Sequence, residues 1–312
     1  MTRAPLIAAV FPGQGSQSAG MLAPWQGDRL VVDTMAEASN ALGLDLWQLS
    51  EAGDAAALAL TINTQPLMVA VSAALWRAWR QRCTRRIAFA AGHSVGELGA
   101  LVAAQSLSLS DAMRIARRRA LAMSAAVAEG TGTMAAVLGL DDATVQQLCT
   151  RCAEDGVLEP VNYNAPGQVV VAGHVSAIER LKSAARDAGA KMVFMLPVSG
   201  PFHSSLMQPA ASALAMALDM IDVRPPALPV LHNSSMAVAT AASIKPELVA
   251  QLTSPVRWTE TVNRMTAAGA SHVLEVGPGE VLTGLCRRIA PRITAWPLAT
   301  PQGMDAAARA LG

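Results

Sequence analysis

The sequence predicts an α/β protein: a large body around a mostly parallel sheet, with a small βαββαβ unit inserted into it. Three observations carry that expectation. Strand-like and helix-like segments alternate along the whole chain. An apolar run, the turn Gly92-His93-Ser94-Val95-Gly96 and a helix-forming run follow one another over 86–104. Between residues 130 and 198 the order of segments becomes β-α-β-β-α-β.

Each element has its own local reason. The apolar run 6–11 predicts a strand, ended by the loop Pro12-Gly13-Gln14-Gly15-Ser16-Gln17. Apolar periodicity predicts helices over 31–41 and 66–80, a strand over 86–91, and helices over 97–104 and about 111–127. A strand is expected over 134–140. Asp141-Asp142-Ala143-Thr144 then opens a helix to about 154, with its acidic residues at the positive end of the helix dipole. Strands over 157–162 and 168–172 are joined by the turn cluster Asn164-Ala165-Pro166-Gly167. A helix over 176–188 and a strand over 191–198 complete a ferredoxin-like order. The domain boundaries expected are therefore 130–198 for the small domain, and 1–129 with 199–312 for a large α/β-hydrolase-like domain. The latter continues with helices near 204–220, 246–252 and 259–268, a strand over 272–276 and a helix over 280–289.

Composition removes several classes of function. With 52% hydrophobic and 15% charged residues, the chain has the means for a sizeable core and is not disordered. A net charge of +1, an aromatic share of 4% and a single tyrosine give no basis for nucleic-acid or membrane binding. The apolar run after Met1-Thr2-Arg3-Ala4-Pro5 is too short for a signal segment or a membrane span, so a soluble cytoplasmic protein is expected, by default a monomer. Cys149 and Cys152 form a C-x-x-C without a second pair at zinc spacing, and they read as reduced helix residues; no metal is expected. Arg77, Arg80, Arg82, Arg85 and Arg86 read as a solvated basic face, with docking of an acidic partner as the alternative.

The G-x-S-x-G turn sets the chemistry. Its glycines let the backbone turn without Cβ clashes, and the turn lifts the Ser94 hydroxyl to the positive end of the next helix. Such a serine suits a covalent acyl intermediate and needs a base. Of the five histidines, His93 lies within the turn and points away from Ser94, His174 belongs to the small unit, His232 to a loop and His272 to a strand end. His203 follows the return of the chain to the large domain, at a natural cleft wall, and is the candidate base. Oxyanion donors are expected from the Val95 N–H and from the Gly13-Gln14-Gly15 loop. That loop does not fit G-x-G-x-x-G, which argues against a nicotinamide site. These residues alone leave open acyl transfer, an esterase using one of Asp111, Asp141, Asp142, Asp155 or Asp187, and a non-catalytic module.

Five segments together resemble the malonyl-CoA:acyl carrier protein transacylases: Phe11-Pro12-Gly13-Gln14-Gly15-Ser16-Gln17, Gly92-His93-Ser94-Val95-Gly96-Glu97, Glu129-Gly130-Thr131-Gly132, Asn164-Ala165-Pro166-Gly167-Gln168 and Glu275-Val276-Gly277-Pro278-Gly279. The resemblance implies ping-pong malonyl transfer from malonyl-CoA to acyl carrier protein, with Ser94 as nucleophile, His203 as base, and Gln14 and Val95 as the oxyanion hole. It implies no cofactor, the coenzyme A thioester being a substrate. Arg119 matches the carboxylate-binding arginine, a choice that the run Arg117-Arg118-Arg119 leaves open by itself; Gln65 and Asn162 fall among the substrate-binding residues. Phe202 before His203 matches the malonyl-selective Phe-His pair, since its ring crowds a C2 methyl group. The chain departs from the family at Leu98, where a tyrosine is common, and at Ser254, where an asparagine often precedes Pro-Val-x-Trp. At Ser254 the expectation is a backbone carbonyl that orients the imidazole. Fatty-acid synthesis is the expected pathway, with a stand-alone polyketide or malonate-decarboxylase acyltransferase as the alternative.

Overall fold

The computed structural model describes residues 5–51 and 55–312. The chain opens with strand β1 (Leu6–Phe11), whose last five residues are buried. Helices α1 (Arg29–Leu42), α2 (Leu46–Glu51) and α3 (Ala55–Ala59) lead to the long helix α4 (Thr61–Arg82). The Asp28 side chain caps α1 by accepting from the N–H groups of Leu30 and Val31. Helix α4 is buried along most of its length, as expected of a helix that is apolar on several sides. Strand β2 (Ile87–Gly92) runs through the Ser94 turn into α5 (Gly96–Ala103), followed by α6 (Leu109–Ala125).

The next segment is β3 (Gly132–Leu138), α7 (Asp142–Ala153), β4 (Leu158–Ala165), β5 (Gln168–His174), α8 (Val175–Asp187) and β6 (Met192–Met195). After it come α9 (Gln208–Leu218), β7 (Val230–Leu231), α10 (Ala241–Ala250), α11 (Trp258–Ala267), β8 (Ala270–Glu275), α12 (Val281–Ile289), β9 (Thr294–Pro297) and α13 (Pro301–Leu311). The Glu275 carboxylate ends β8 by accepting from the N–H groups of Leu282 and Thr283, at 3.0 and 2.6 Å, so it caps α12.

Two sheets result. One is wholly parallel, in the order β7-β2-β1-β8-β9. The other is antiparallel, in the order β4-β5-β3-β6, with β6 at one edge. One face of the antiparallel sheet packs on α7 and α8 through Ala135, Val137, Val169 and Val171. The other face, with Ala136, Val161, Val170 and Ala172, joins the main core of the body. The body is further zipped to β4 by backbone hydrogen bonds from Val256 N to Val161 O and from Tyr163 N to Val256 O, at 2.8 and 3.0 Å.

Several expectations change here. Helices α2, α3 and α13 and strands β7 and β9 have no counterpart in the sequence reading. The arginine cluster is largely paired within the chain: Arg82 with Asp28 and Asp305, Arg77 with Glu37, and Arg85 with the carbonyl of Gly312. Cys149 and Cys152 are buried in α7, and desolvation pushes the Cys149 thiol up to about 12. Among the described residues, no helix is long and apolar enough to cross a membrane.

Parallel packing of β1 beside β2 leaves no room at the Ser94 turn. A Cβ on Gly92 would lie 2.0 Å from the carbonyl carbon of Gly96, and one on Gly96 would lie 2.1 Å from the carbonyl oxygen of Phe11. Both obstructions are backbone and do not swing aside. Gly96→Ala is expected to destabilise the fold by at least about 3 kcal/mol, read as a lowered urea midpoint; an unchanged midpoint would contradict this packing.

Candidate active site

The carboxyl ends of β1 and β2 place the site, as expected for an open parallel sheet. Ser94 sits just past β2 with φ 53°, and His203 also lies in the left-handed region at φ 65°. Each conformation costs roughly 1–3 kcal/mol, so each requires bracing. The Ser94 N–H donates to Asn233 Oδ1 at 2.7 Å, and Asn233 Nδ2 donates to the Gly92 carbonyl at 2.6 Å. Asn233 therefore grips the turn from both sides.

Ser94 Oγ lies 2.7 Å from His203 Nε2. On its far side, His203 Nδ1 lies 2.8 Å from the backbone carbonyl of Gln251. A carbonyl only accepts, so Nδ1 carries the proton and Nε2 is left to accept from Ser94. Burial, reinforced by the neighbouring Arg119 charge, lowers the imidazole to about 3. His203 is thus neutral at physiological pH. Its orienting carbonyl was expected at Ser254. It comes instead from Gln251, three residues earlier, because the 3-10 turn at Gln251–Thr253 brings that carbonyl over the ring; Ser254 adds only a weaker influence on the same imidazole.

Arg119 is 1% exposed. Its Nη1 donates to Gln65 Oε1 at 2.8 Å; its Nη2 donates to Gln251 Oε1 at 2.7 Å and to Ser94 Oγ at 3.2 Å. Desolvation lowers it to about 10 while the Glu97 charge holds it up, so it remains a cation at neutral pH. Gln251 Nε2 in turn donates to Glu97 Oε2 at 2.6 Å and to the Ser94 carbonyl at 3.2 Å. Glu97 is buried and also accepts from His232 Nδ1 at 2.7 Å, and from Asn233 Nδ2 and N at 2.7 and 3.2 Å. One buried carboxylate thereby braces the turn through Asn233 and the guanidinium through Gln251.

The remaining expected residues line a cleft of about 90 Å³ over Ser94: Gln14, Gln65, Val95, Phe202 and Asn162. The Gln14 side chain donates to Thr61 Oγ1 at 3.3 Å. Among the described residues, the N–H groups of Val95 and Gln14 have no acceptor, which leaves both available to a developing oxyanion. Asn162 Oδ1 is buried without a partner among the described residues. His93 does not contact the hydroxyl of Ser94; its Nε2 pairs with Asn164 Oδ1 at 2.8 Å, which ties the Ser94 turn to β4. Sequence reasoning passed over Gln251, Asn233 and His232 as site residues. Glu97 stood inside the quoted motif without a role.

A half-buried serine paired with a buried histidine, beside a buried cation, is equipped to hold an acyl group that bears a carboxylate. Comparison with known proteins agrees. An acyl transferase domain family matches residues 9–290. The malonyl CoA-acyl carrier protein transacylase of Salmonella typhimurium is 49% identical over 303 residues, which is 96% of this chain and 98% of that protein. The solved acyl-carrier-protein S-malonyltransferase of Burkholderia pseudomallei superposes with a TM-score of 0.95 at 46% identity, covering 97% of this chain and 99% of that one. A malonyl-transacylase solved in complex with its type II polyketide-synthase acyl-carrier protein superposes with a TM-score of 0.96 at 42% identity, covering 98% and 99%. The chain belongs to the acyl transferase domain family and, within it, to the malonyl CoA-acyl carrier protein transacylases.

Proposed function

We propose that this protein moves a malonyl group from malonyl-CoA to the phosphopantetheine thiol of acyl carrier protein, through a malonyl ester of Ser94, and so supplies fatty-acid synthesis in the cytoplasm. The observation that carries the reading is the buried Arg119 guanidinium, 3.2 Å from Ser94 Oγ. A buried cation has a use beside a nucleophile when the acyl group brings the matching anion.

In the first half-reaction His203 Nε2 takes the Ser94 proton while Oγ attacks the thioester carbonyl. The N–H groups of Val95 and Gln14 receive the oxyanion. The C–S bond breaks, and the proton on His203 passes to the departing thiolate. In the second half-reaction the carrier thiol gives its proton to His203 and its sulfur attacks the ester carbonyl. The C–Oγ bond then breaks and the proton returns to Ser94. Arg119 holds the malonyl carboxylate throughout; acylation of Oγ frees the Nη2 hydrogen that Ser94 had accepted. Gln65 keeps the guanidinium plane in place. The unpaired Asn162 Oδ1 accepts from an amide N–H of the pantetheine arm, and Phe202 crowds the malonyl C2 position. No cofactor is needed, because the thioester itself is the activated acyl donor.

We also read residues 130–198 as an inserted ferredoxin-like small domain, and 1–129 with 199–312 as an α/β-hydrolase-like large domain. The β4-β5-β3-β6 order and the α7–α8 layer support that division. A polyketide role is the second reading, favoured by the 42% identity to a transacylase bound to a type II polyketide-synthase carrier; rates on a panel of holo-carrier proteins separate the two.

Arg119→Ala is expected to cut kcat/KM for malonyl transfer by roughly 10²-fold or more while acetyl transfer falls far less, because an acetyl group brings no carboxylate to the guanidinium. Equal losses would remove Arg119 as the carboxylate reader. The lowered imidazole gives a second outcome. Since its neutral form is the base, labelling of Ser94 by an uncharged fluorophosphonate is expected to stay flat between about pH 5 and 8. In Arg119→Ala the acid limb moves up, because a neighbouring positive charge is gone. A limb at 6.5 in the unsubstituted protein, the ordinary imidazole value, would contradict the assignment.

A further inference from the structure

His232 is fully buried and lies outside the cleft over Ser94, so the proposed reaction gives it no step. Both of its ring nitrogens are nevertheless engaged. Nδ1 donates to Glu97 Oε1 at 2.7 Å, since a carboxylate only accepts. Nε2 pairs with Ser243 Oγ at 3.0 Å. A leucine would fill the same space, so the two polar contacts are what distinguish this side chain.

The two contacts lead to opposite ends of α10. Ser243 is its third residue, half-buried, and shares the capping box of that helix with Thr240. Ser243 N donates to Thr240 Oγ1 at 3.1 Å, and Thr240 N donates to Ser243 Oγ at 2.9 Å. Gln251 follows the last residue of α10, about 12 Å further along the axis. Its side-chain amide donates to Glu97 Oε2 at 2.6 Å. One line of hydrogen bonds, Ser243–His232–Glu97–Gln251, therefore ties both ends of the helix to the residue after β7.

Helix α10 has little else to fix it. Two of its ten residues, Ile244 and Leu248, are buried. Pro246 within it forfeits a backbone hydrogen bond. Toward α9 it leaves an open groove of about 480 Å³, along Lys245, Pro246 and Val249. So narrow an apolar face fixes a helix poorly along its axis, and directional polar contacts decide where its ends lie. The end matters to the base, because the Gln251 carbonyl holds the proton on His203 Nδ1 at 2.8 Å.

We propose that His232 is a positioning residue for His203. By holding α10 at Ser243 and, through Glu97, at Gln251, it sets the reach of the Gln251 carbonyl onto the imidazole. The proposal rests on the transacylase reading for the reaction served, and on the Ser94–His203 pair for its geometry. A carbonyl that drifts from Nδ1 lets the tautomer protonated at Nε2 compete, and that tautomer cannot accept from Ser94. Arg119 keeps its contact with Gln65, so binding of the malonyl group suffers less than the chemistry.

The test follows malonyl loading from malonyl-CoA, labelling of Ser94 by an uncharged fluorophosphonate, and the Nδ1–H proton resonance of His203 in protein carrying isotope-labelled histidine. His232→Leu keeps the volume and removes both nitrogens. Its kcat for loading and its labelling rate are each expected to fall about ten-fold, with KM for malonyl-CoA within about two-fold and the Nδ1–H resonance moved upfield as its hydrogen bond lengthens. Ser243→Ala breaks the line at its outer end and is expected to slow both reactions about three-fold, with a shift in the same direction. Thr240→Ala removes the other half of the capping box but leaves the line intact, and both rates stay as in the unsubstituted protein. Rates within about two-fold of the unsubstituted value in folded Ser243→Ala would overturn the proposal. So would equal losses in Ser243→Ala and Thr240→Ala, which would make the effect one of helix stability. A slowed variant whose His203 resonance has not moved would overturn it too, by placing the effect on Ser94 or Arg119. An unsubstituted protein that is labelled at Ser94 yet never takes up malonyl would strike the transacylase reading alone, and the labelling rates would still decide on His232.

Discussion

The site depends on one buried carboxylate, that of Glu97. Its four hydrogen-bond donors come from His232, Asn233 and Gln251, on two different stretches of chain. An ionised group in this position is stable only when its acceptor sites are filled and a counter-charge is close. The filling is also what builds the site. Asn233, held by Glu97, holds the Ser94 turn in its left-handed conformation. Gln251, held by Glu97, presents its side chain to Arg119 and its backbone carbonyl to His203. Ser94, His203 and Arg119 thus share one scaffold. Arg119 supplies the counter-charge without direct contact, through the Gln251 amide.

This arrangement explains why no Asp or Glu completes a triad. A carboxylate on His203 would stabilise an imidazolium, but the neighbouring Arg119 charge opposes that ion and contributes to lowering the imidazole. A neutral carbonyl is enough to fix the tautomer. The cation does more for the acyl group than for the base, which suits a site that holds an anionic ester between two thiols. In the proposed reaction the malonyl carboxylate fills the remaining Arg119 donors and offsets the cost of keeping that cation buried.

Much of this was legible in the sequence, and the reasons differ by residue. The Ser94 turn could be read because close backbone approach admits only glycine at positions 92 and 96, and the flanking runs had the right periods. The βαββαβ order could be read because its strands and amphipathic helices alternate cleanly. The choice among Arg117, Arg118 and Arg119 was carried by resemblance, yet a physical signal existed. Ala112, Ile115, Ala116, Ala120 and Met123 form the buried stripe of α6, and Arg119 falls on that stripe while Arg118 is exposed. Gln251 left no such signal. It follows α10, its partners are 132 and 154 residues away in sequence, and its decisive contact is a backbone carbonyl that any residue would carry. The expectation at Ser254 missed for the same reason: a backbone acceptor leaves no trace in side-chain identity. Strand β7 has only two residues, too few for a period to show.

The most direct test of Ser94 as a malonyl carrier is the intact mass of the protein, taken after mixing with malonyl-CoA and again after adding holo-acyl carrier protein. The account predicts that the protein gains one malonyl group, located on Ser94, and returns to its starting mass as the carrier becomes malonylated. A protein that never gains the group, or that loses it to water as free malonate at the same rate with or without the carrier, would contradict it.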